Sequence, residues 1–444
     1  MKIPPKPPKL REVLEKNPEE VYKLFVDQEA MAFAVKANKA YWHWEELPYH
    51  HPPAHIKLEQ LWMCIKLLRI SHHQPLNLKN YHFTFSLDDE AFQKLHLLDK
   101  STAGQLLINN ESINTEGKER YIINSLMEEA IASSQIEGAS TTRRFAKELL
   151  RSRQKPKTQT QRMIVNGYQT MQHIIKLKEN KIITSEMILE LHRSITKDTF
   201  KKKEEEGRYR DNNEIIVGDN LILEKIAHVP PNYKEIPCLM EEFCKFASTD
   251  NESFIHPIIK GVILHFLIGF IHPFNDGNGR TARSIFYWYV LTRGYWLFEF
   301  MAVSRIIRRS KTQYDRAYLY TETDDNDLTY FINYHLKAIE EAQKEMIEYI
   351  QRKQKEQTEA MKFIHGLKEI SLREAEILKQ AIKHPEKMIV INEIRSIYGV
   401  VYQTARSDLL HLEKQGYLEK TKIKKKFIFK LAKGAVEKWR LNIK

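Results

Sequence analysis

The chain has 444 residues, 42% hydrophobic and 29% charged, a composition of soluble globular domains and long enough for about two to four cores. Lys and Arg outnumber Asp and Glu by 70 to 58; the three cysteines, Cys64, Cys238 and Cys244, are odd in number and lack metal-ligand spacing, which suits a reducing compartment. The start, 1–20, is rich in proline and charge and has no signal-like apolar segment. The longest apolar run, 262–271, is too short to span a bilayer, so a cytoplasmic protein without a membrane partner is expected.

Leucine, isoleucine, lysine and glutamate dominate, with only 15 glycines and 16 prolines, which predicts a mainly α chain. Residues 1–110 read as an N-terminal helical extension: a proline-rich arm, an aromatic cluster at Tyr41, Trp42 and Trp44, and a helix whose stripe Leu58, Leu61, Trp62, Ile65 and Leu68 packs on a body. The core is expected over 111–345. In it, Ile122, Ile123, Leu126, Met127 and Ala130 keep helical spacing and Gly138 stops the helix, which leaves Glu137 at its end. Further on, Glu214 to Val217 is β-prone, Gly218-Asp219-Asn220 is a turn cluster, and Ile226 to Val229 returns as a strand ended by two prolines. The open edge of such a hairpin can align an extended peptide by main-chain hydrogen bonds.

An apolar run from Val262 to Phe270 leads into His272-Pro273-Phe274-Asn275-Asp276-Gly277-Asn278-Gly279-Arg280-Thr281-Ala282-Arg283, and helical spacing resumes from Thr281 to Leu291. Helix, tight loop, helix is the natural reading, with the loop at a helix N-terminus, where first-turn amides and the dipole bind anions. Gly277 and Gly279 let backbone approach phosphate oxygens and take positive φ, Asn278 offers a side-chain donor, and Arg280 and Arg283 share a helical face as a clamp. Asp276 is a hard ligand of the kind Mg²⁺ takes beside phosphate oxygens, and His272 can accept a proton near neutral pH. Turn signals alone could make a loop look alike, but the ordered coincidence of all these parts favours phosphoryl or nucleotidyl transfer.

Past the core, 346–370 reads as a charged connecting helix, solvated alone or paired with a second copy in a homodimer. Within 371–444, a helix at Ile391 to Tyr398, a turn at Gly399-Val400-Val401, a second helix from Tyr402 to Leu412 and a basic hairpin suggest a winged helix-turn-helix. From Lys387 to Lys444 there are 14 Lys and Arg against 5 Asp and Glu. Gln403, Thr404, Arg406 and Ser407 are then candidates for base reading, with Lys422, Lys424, Lys425 and Lys426 meeting phosphates. The module suits DNA or, equally, a protein partner.

The stretch from His272 to Arg283 resembles the Fic signature H-x-F-x-[D/E]-G-N-G-R-x-x-R without a departure, and further likeness extends over 113–338. The resemblance implies a helical Fic core with a hairpin flap (207–231) and transfer of AMP from ATP to a Ser, Thr or Tyr hydroxyl of a target protein or of the chain itself. His272 would be the base and Asp276 the Mg²⁺ ligand; Gly277, Asn278, Gly279, Arg280 and Arg283 would bind the phosphates, and Phe274 would anchor the loop. The flap would dock the target. Ser133-Ser134-Gln135-Ile136-Glu137-Gly138 resembles the family's inhibitory pattern, which implies that Glu137 pairs with Arg283 and blocks γ-phosphate placement. Open alternatives are AMP removal, another nucleotide donor, and a nucleotide-sensing DNA-binding regulator. His228 and His256 are expected to pack or cap rather than catalyse.

Overall fold

The computed structural model describes residues 3–16, 20–102, 107–108, 111–112, 115–215, 217–218, 226–249, 254–364, 370–423 and 426–435. In chain order the helices are α1 (Leu10–Lys16), α2 (Glu20–Val26), α3 (Gln28–Ala40), α4 (Leu58–Ile70), α5 (Asp89–Thr102), α6 (Thr115–Ile136), α7 (Arg143–Ser152), α8 (Gln159–Lys176) and α9 (Ser185–Thr196). There follow α10 (Ile236–Ser248), α11 (Pro257–Ile271), α12 (Asn278–Thr292), α13 (Val303–Arg309), α14 (Lys311–Thr323), α15 (Thr329–Ile364), α16 (Leu372–Lys383), α17 (Ile391–Tyr398) and α18 (Tyr402–Lys414). Strands are short: β1 (Gln74–Leu78) with β2 (Tyr81–Phe85), β3 (Leu107–Ile108) with β4 (Glu111–Ser112), β5 (Val217–Gly218) with β6 (Ile226–His228), and a sheet of order β7-β9-β8 from β7 (Ile389–Val390), β8 (Leu418–Ile423) and β9 (Lys426–Leu431). Each pair is antiparallel.

Packing divides the chain into two units, the first comprising Met1–Lys100, His173–Trp296 and Ile306–Glu340. Its centre is the pair α11 and α12, both buried almost all round: α11 is apolar on nearly every face, whereas α12 buries polar residues, Arg280 and Arg283 among them, in its first half and apolar ones in its second. The β1–β2 hairpin lies against α11 through Phe83, whose ring is 5.1 Å from that of Phe270. This hairpin is a departure from the helical reading of 1–110. Its period-2 signal, Leu76 and Leu78 on one strand and Phe83 and Phe85 on the other, joined by Lys79-Asn80, is present in the sequence; Leu76 pairs with Phe83, and all four apolar residues are buried. The N-terminal helices are fastened by a buried polar network: Lys66 donates to Asp324 at 2.7 Å, Arg69 to the Tyr330 hydroxyl at 2.6 Å, and Tyr41 to Asp327 at 2.6 Å.

The second unit comprises Ser101–Gln172, Leu297–Arg305 and Glu341–Lys444. Met127 and Ile131 of α6, Ala146 and Leu150 of α7 and Ile164 of α8 form one apolar cluster. Leu378, Ile394, Leu409, Leu412 and Phe429 centre another, built by α16, α17, α18 and the three-stranded sheet. Arg373 ties α16 to α18 through a forked contact with Asp408. α17 rests on α6 and α7. Thus α6, read from sequence as part of a 111–345 core, groups with the C-terminal elements, and the helix expected at 346–370 begins much earlier, at Thr329.

Candidate active site

The α11–α12 loop is built from its histidine outward. His272 is the C-cap of α11 in the left-handed region, φ 49° and ψ 58°, with its amide donating to the Ile268 carbonyl at 3.0 Å. A non-glycine residue there carries strain on the order of 1 kcal/mol, which the fixed framework around it offsets. The ring is held by its Nδ1, 3.2 Å from the Gly269 carbonyl. A carbonyl can only accept, so Nδ1 carries a hydrogen; in the neutral ring the lone pair is then on Nε2, the tautomer a general base uses.

Phe274 is fully buried, and its backbone is clasped by Asn278: the Phe274 amide donates to Asn278 Oδ1 at 2.9 Å and Asn278 Nδ2 donates to the Phe274 carbonyl at 2.7 Å. Asn278, whose side chain is expected to offer a donor to an anion, here uses its Oδ1 and one Nδ2 hydrogen on the loop. Gly277 is the N-cap of α12 with φ 87°, and a Cβ there would lie 2.8 Å from Thr196 Cγ2. Gly279, expected to share that conformation, instead lies in the first turn of α12, because the helix begins at Asn278 rather than Thr281. The loop's backbone amides thus head a helix of fifteen residues, which is the anion-attracting end.

Asp276 is more than half exposed; one carboxylate oxygen accepts the Gly277 amide at 2.6 Å and the other lies 3.3 Å from Arg280 Nη2. Arg280 is buried and also donates from Nη1 to the Ile195 carbonyl at 3.2 Å, so it braces the loop as well as charging it. Arg283 is buried one helical turn on, and its charge helps hold the nearby imidazoles of His265 and His335 neutral after burial has done most of that work. Among the described residues no cluster of three or more metal-ligating side chains occurs. An Mg²⁺ held by Asp276 would therefore complete its shell with phosphate oxygens and water, the donor set this ion accepts.

Two further residues, His192 and Arg210, hold the site without belonging to its motif. His192 on α9 is fully buried; Nδ1 accepts the Gly207 amide at 2.9 Å, Nε2 donates to the Asp276 carbonyl at 2.9 Å, and the ring stacks on Phe274 at 3.7 Å. Arg210 donates from Nε to the His272 carbonyl at 2.9 Å and from Nη2 to the Pro231 carbonyl at 2.5 Å, while its amide donates to Pro273 at 2.9 Å. It pins both ends of the flap segment to the loop.

The flap strands β5 and β6 pair antiparallel, with the Asp219-Asn220 turn outside the described residues. His228 packs as expected, bound to Glu322 at 2.8 Å and the Phe270 carbonyl at 2.7 Å, and His256 caps α11. Glu137 is exposed just beyond α6, where Gly138 turns the chain at φ 90°. On α18, Gln403, Arg406 and Ser407 are exposed and Thr404 is half-buried; of the wing lysines, Lys424 and Lys425 lie outside the described residues.

The family model of the Fic/DOC family matches residues 182–290, from just before α9 to near the end of α12. The chain carries a Fic domain within these residues. Relatives include the protein adenylyltransferase Fic of Drosophila yakuba, 34% identical over 113 residues, which are 26% of this chain and 21% of that protein. The protein of the same name from Drosophila melanogaster is 33% identical over the same length and shares. The chain thus spans about a fifth of the length of these curated relatives. A fragment of Fic-1 from C. elegans has a similar fold, with TM-score 0.50 at 16% identity over 78% of this chain and 89% of that one. No described helix is long and apolar enough to cross a membrane.

Proposed function

We propose that the Fic domain of this chain is an autoinhibited protein adenylyltransferase that moves AMP from ATP to a Ser, Thr or Tyr hydroxyl of a target protein or of itself. The observation that carries this reading is the His272 ring, turned with its Nδ1 toward the Gly269 carbonyl and set immediately before an amide-rich helix N-terminus. His272 takes the hydroxyl proton as the oxygen attacks the α-phosphorus; the bond to the β-phosphate breaks and pyrophosphate leaves. The amides at Gly277 to Gly279, with Arg280 and Arg283, hold the phosphates for in-line attack. Mg²⁺ bound through Asp276 would neutralise charge developing on the phosphate oxygens. The flap edge aligns the target segment.

Glu137 is the brake in this reading: a carboxylate in the Arg283 fork would remove an anion clamp and repel a triphosphate. Its support is the match of 133–138 to the family's inhibitory pattern and its exposed place beyond the end of α6. With labelled ATP in a lysate, Glu137→Gly is expected to incorporate AMP at least about tenfold faster than wild type. His272→Ala should fall by roughly 10² to 10⁴ from that level. Equal labelling by wild type and Glu137→Gly removes the brake; no labelling by either, with duplex binding retained, favours the DNA-binding regulator. Loss of label from pre-modified target on adding wild type favours AMP removal. The exposed row Gln403, Arg406 and Ser407 on α18 supports a second role for the C-terminal elements in meeting DNA.

A further inference from the structure

The helix α7 sets Arg143, Lys147 and Arg151 four residues apart, three cations in one row, a spacing that destabilises an isolated helix. The row faces a cavity of about 430 Å³ that lies within the second unit, walled by α6, α7, the 297–305 segment and α15. Arg305 enters from the segment, and Arg352 and Lys353 from α15, so six cations line the cavity against three carboxylates, Glu128, Glu345 and Glu348. The six come from three stretches of chain, and Lys147, Arg151, Arg305 and Lys353 are half-buried, while Arg143 and Arg352 are exposed.

The carboxylates do not neutralise them. Glu128 on α6 is shared by Arg143 and Lys147, and Glu345 meets Arg305 at 3.3 Å. Neither Arg151 nor Arg352 has a carboxylate partner among the described residues. Burial, with Arg143 and Arg151 as neighbours, holds the Lys147 amine below its usual range despite Glu128. Ser125, also on α6 and lining the cavity, is 5% exposed, and its hydroxyl has no hydrogen-bond partner among the described residues.

We propose that this cavity is a second anion site, distinct from the α11–α12 loop, that binds a small molecule carrying two or three phosphate groups. The excess of three positive charges matches that ligand class, the volume holds a molecule of nucleotide size, and Arg151 and Arg352 supply forked donors not committed to carboxylates. The Tyr121 and Tyr349 rings, packed edge to face at 5.9 Å, add an apolar wall for its organic part.

The test is calorimetric titration of the full chain at low ionic strength with inorganic pyrophosphate, which can also reach the loop. Wild type is expected to show two classes of site, and Arg151→Glu with Arg352→Glu to lose one or weaken it by at least about tenfold. Arg151→Gln with Arg352→Gln, a milder change should charge reversal prevent folding, is expected to weaken the same site. Lys6→Glu with Lys9→Glu, an equal charge change on exposed residues elsewhere, is expected to change nothing. Were the loop to bind no anion, wild type would show one site, still lost on reversal at Arg151 and Arg352. Identical isotherms for wild type and both arginine variants, or equal weakening by the lysine control, would overturn the proposal.

Discussion

Burial pushes His192 from its ordinary 6.5 to about 4, because its ring is sealed between the Gly207 amide, the Asp276 carbonyl and Phe274 and has no room for a charge. The native state therefore holds it neutral, whereas the unfolded chain protonates it near 6.5. A pKa lowered on folding gives stability that is present above 6.5 and lost as pH falls toward about 4. His43 and His335, each lowered to about 3 chiefly by burial, act with the same sign. His192→Gln is thus expected to be less stable than wild type at pH 7, with the gap narrowing by an amount on the order of 2–3 kcal/mol toward pH 4. Urea titrations across that range check it; a gap constant with pH refutes the neutral assignment. His192 was not legible in the sequence, for a physical reason: a lone histidine 82 residues before its partner Phe274 carries no local pattern, and only the fold brings them together. The His272 to Arg283 stretch was legible because its chemistry is contiguous. Even there the division of labour between side chains was hidden: whether Asn278 faces a ligand or clasps Phe274 depends on where α12 begins.

Elements with punctuated ends were read well from sequence. The bounds predicted for α17 coincide with those observed, because Gly399 ends it at φ 70° and the apolar spacing around it is regular. The β1–β2 hairpin is hard to read among helical neighbours, since five-residue strands give a brief signal. Gly399 has a second duty that the sequence does not announce. A Cβ there would lie 3.0 Å from Glu119 Oε2 and 3.2 Å from Ile123 Cδ1 on α6, so the end of α17 is seated against α6 without room for a side chain. Gly399→Ala combines left-handed strain of about 1 kcal/mol with a tight contact, and a loss of roughly 1–2 kcal/mol is expected in urea unfolding. An unchanged midpoint would mean that α17 is not seated there.

Across the whole molecule, the grouping of α6 with the C-terminal elements could not be read from the chain, because which helices share a core depends on long-range contacts rather than on order. Charge, by contrast, is plain in the sequence. Of the formal net charge of +12, the stretch from Lys387 to Lys444 contributes an excess of 14 Lys and Arg over 5 Asp and Glu. If that charge meets a duplex, binding releases counterions, and log K falls linearly with log salt by about 0.9 for each phosphate contacted. Arg406 on α18 and Lys422 on β8 are both exposed but should differ in kind. A base-reading arginine costs about 1–3 kcal/mol when removed and relaxes sequence preference, whereas a phosphate-contacting lysine lowers affinity on all sequences and reduces the salt slope by about 1. Fluorescence anisotropy of the full chain on labelled duplexes, at several salt concentrations, separates the two. Lys422→Ala is expected to flatten the slope, and Arg406→Ala to weaken binding most on the preferred duplex. If both variants leave affinity and slope untouched, the exposed face of α18 meets a protein rather than DNA.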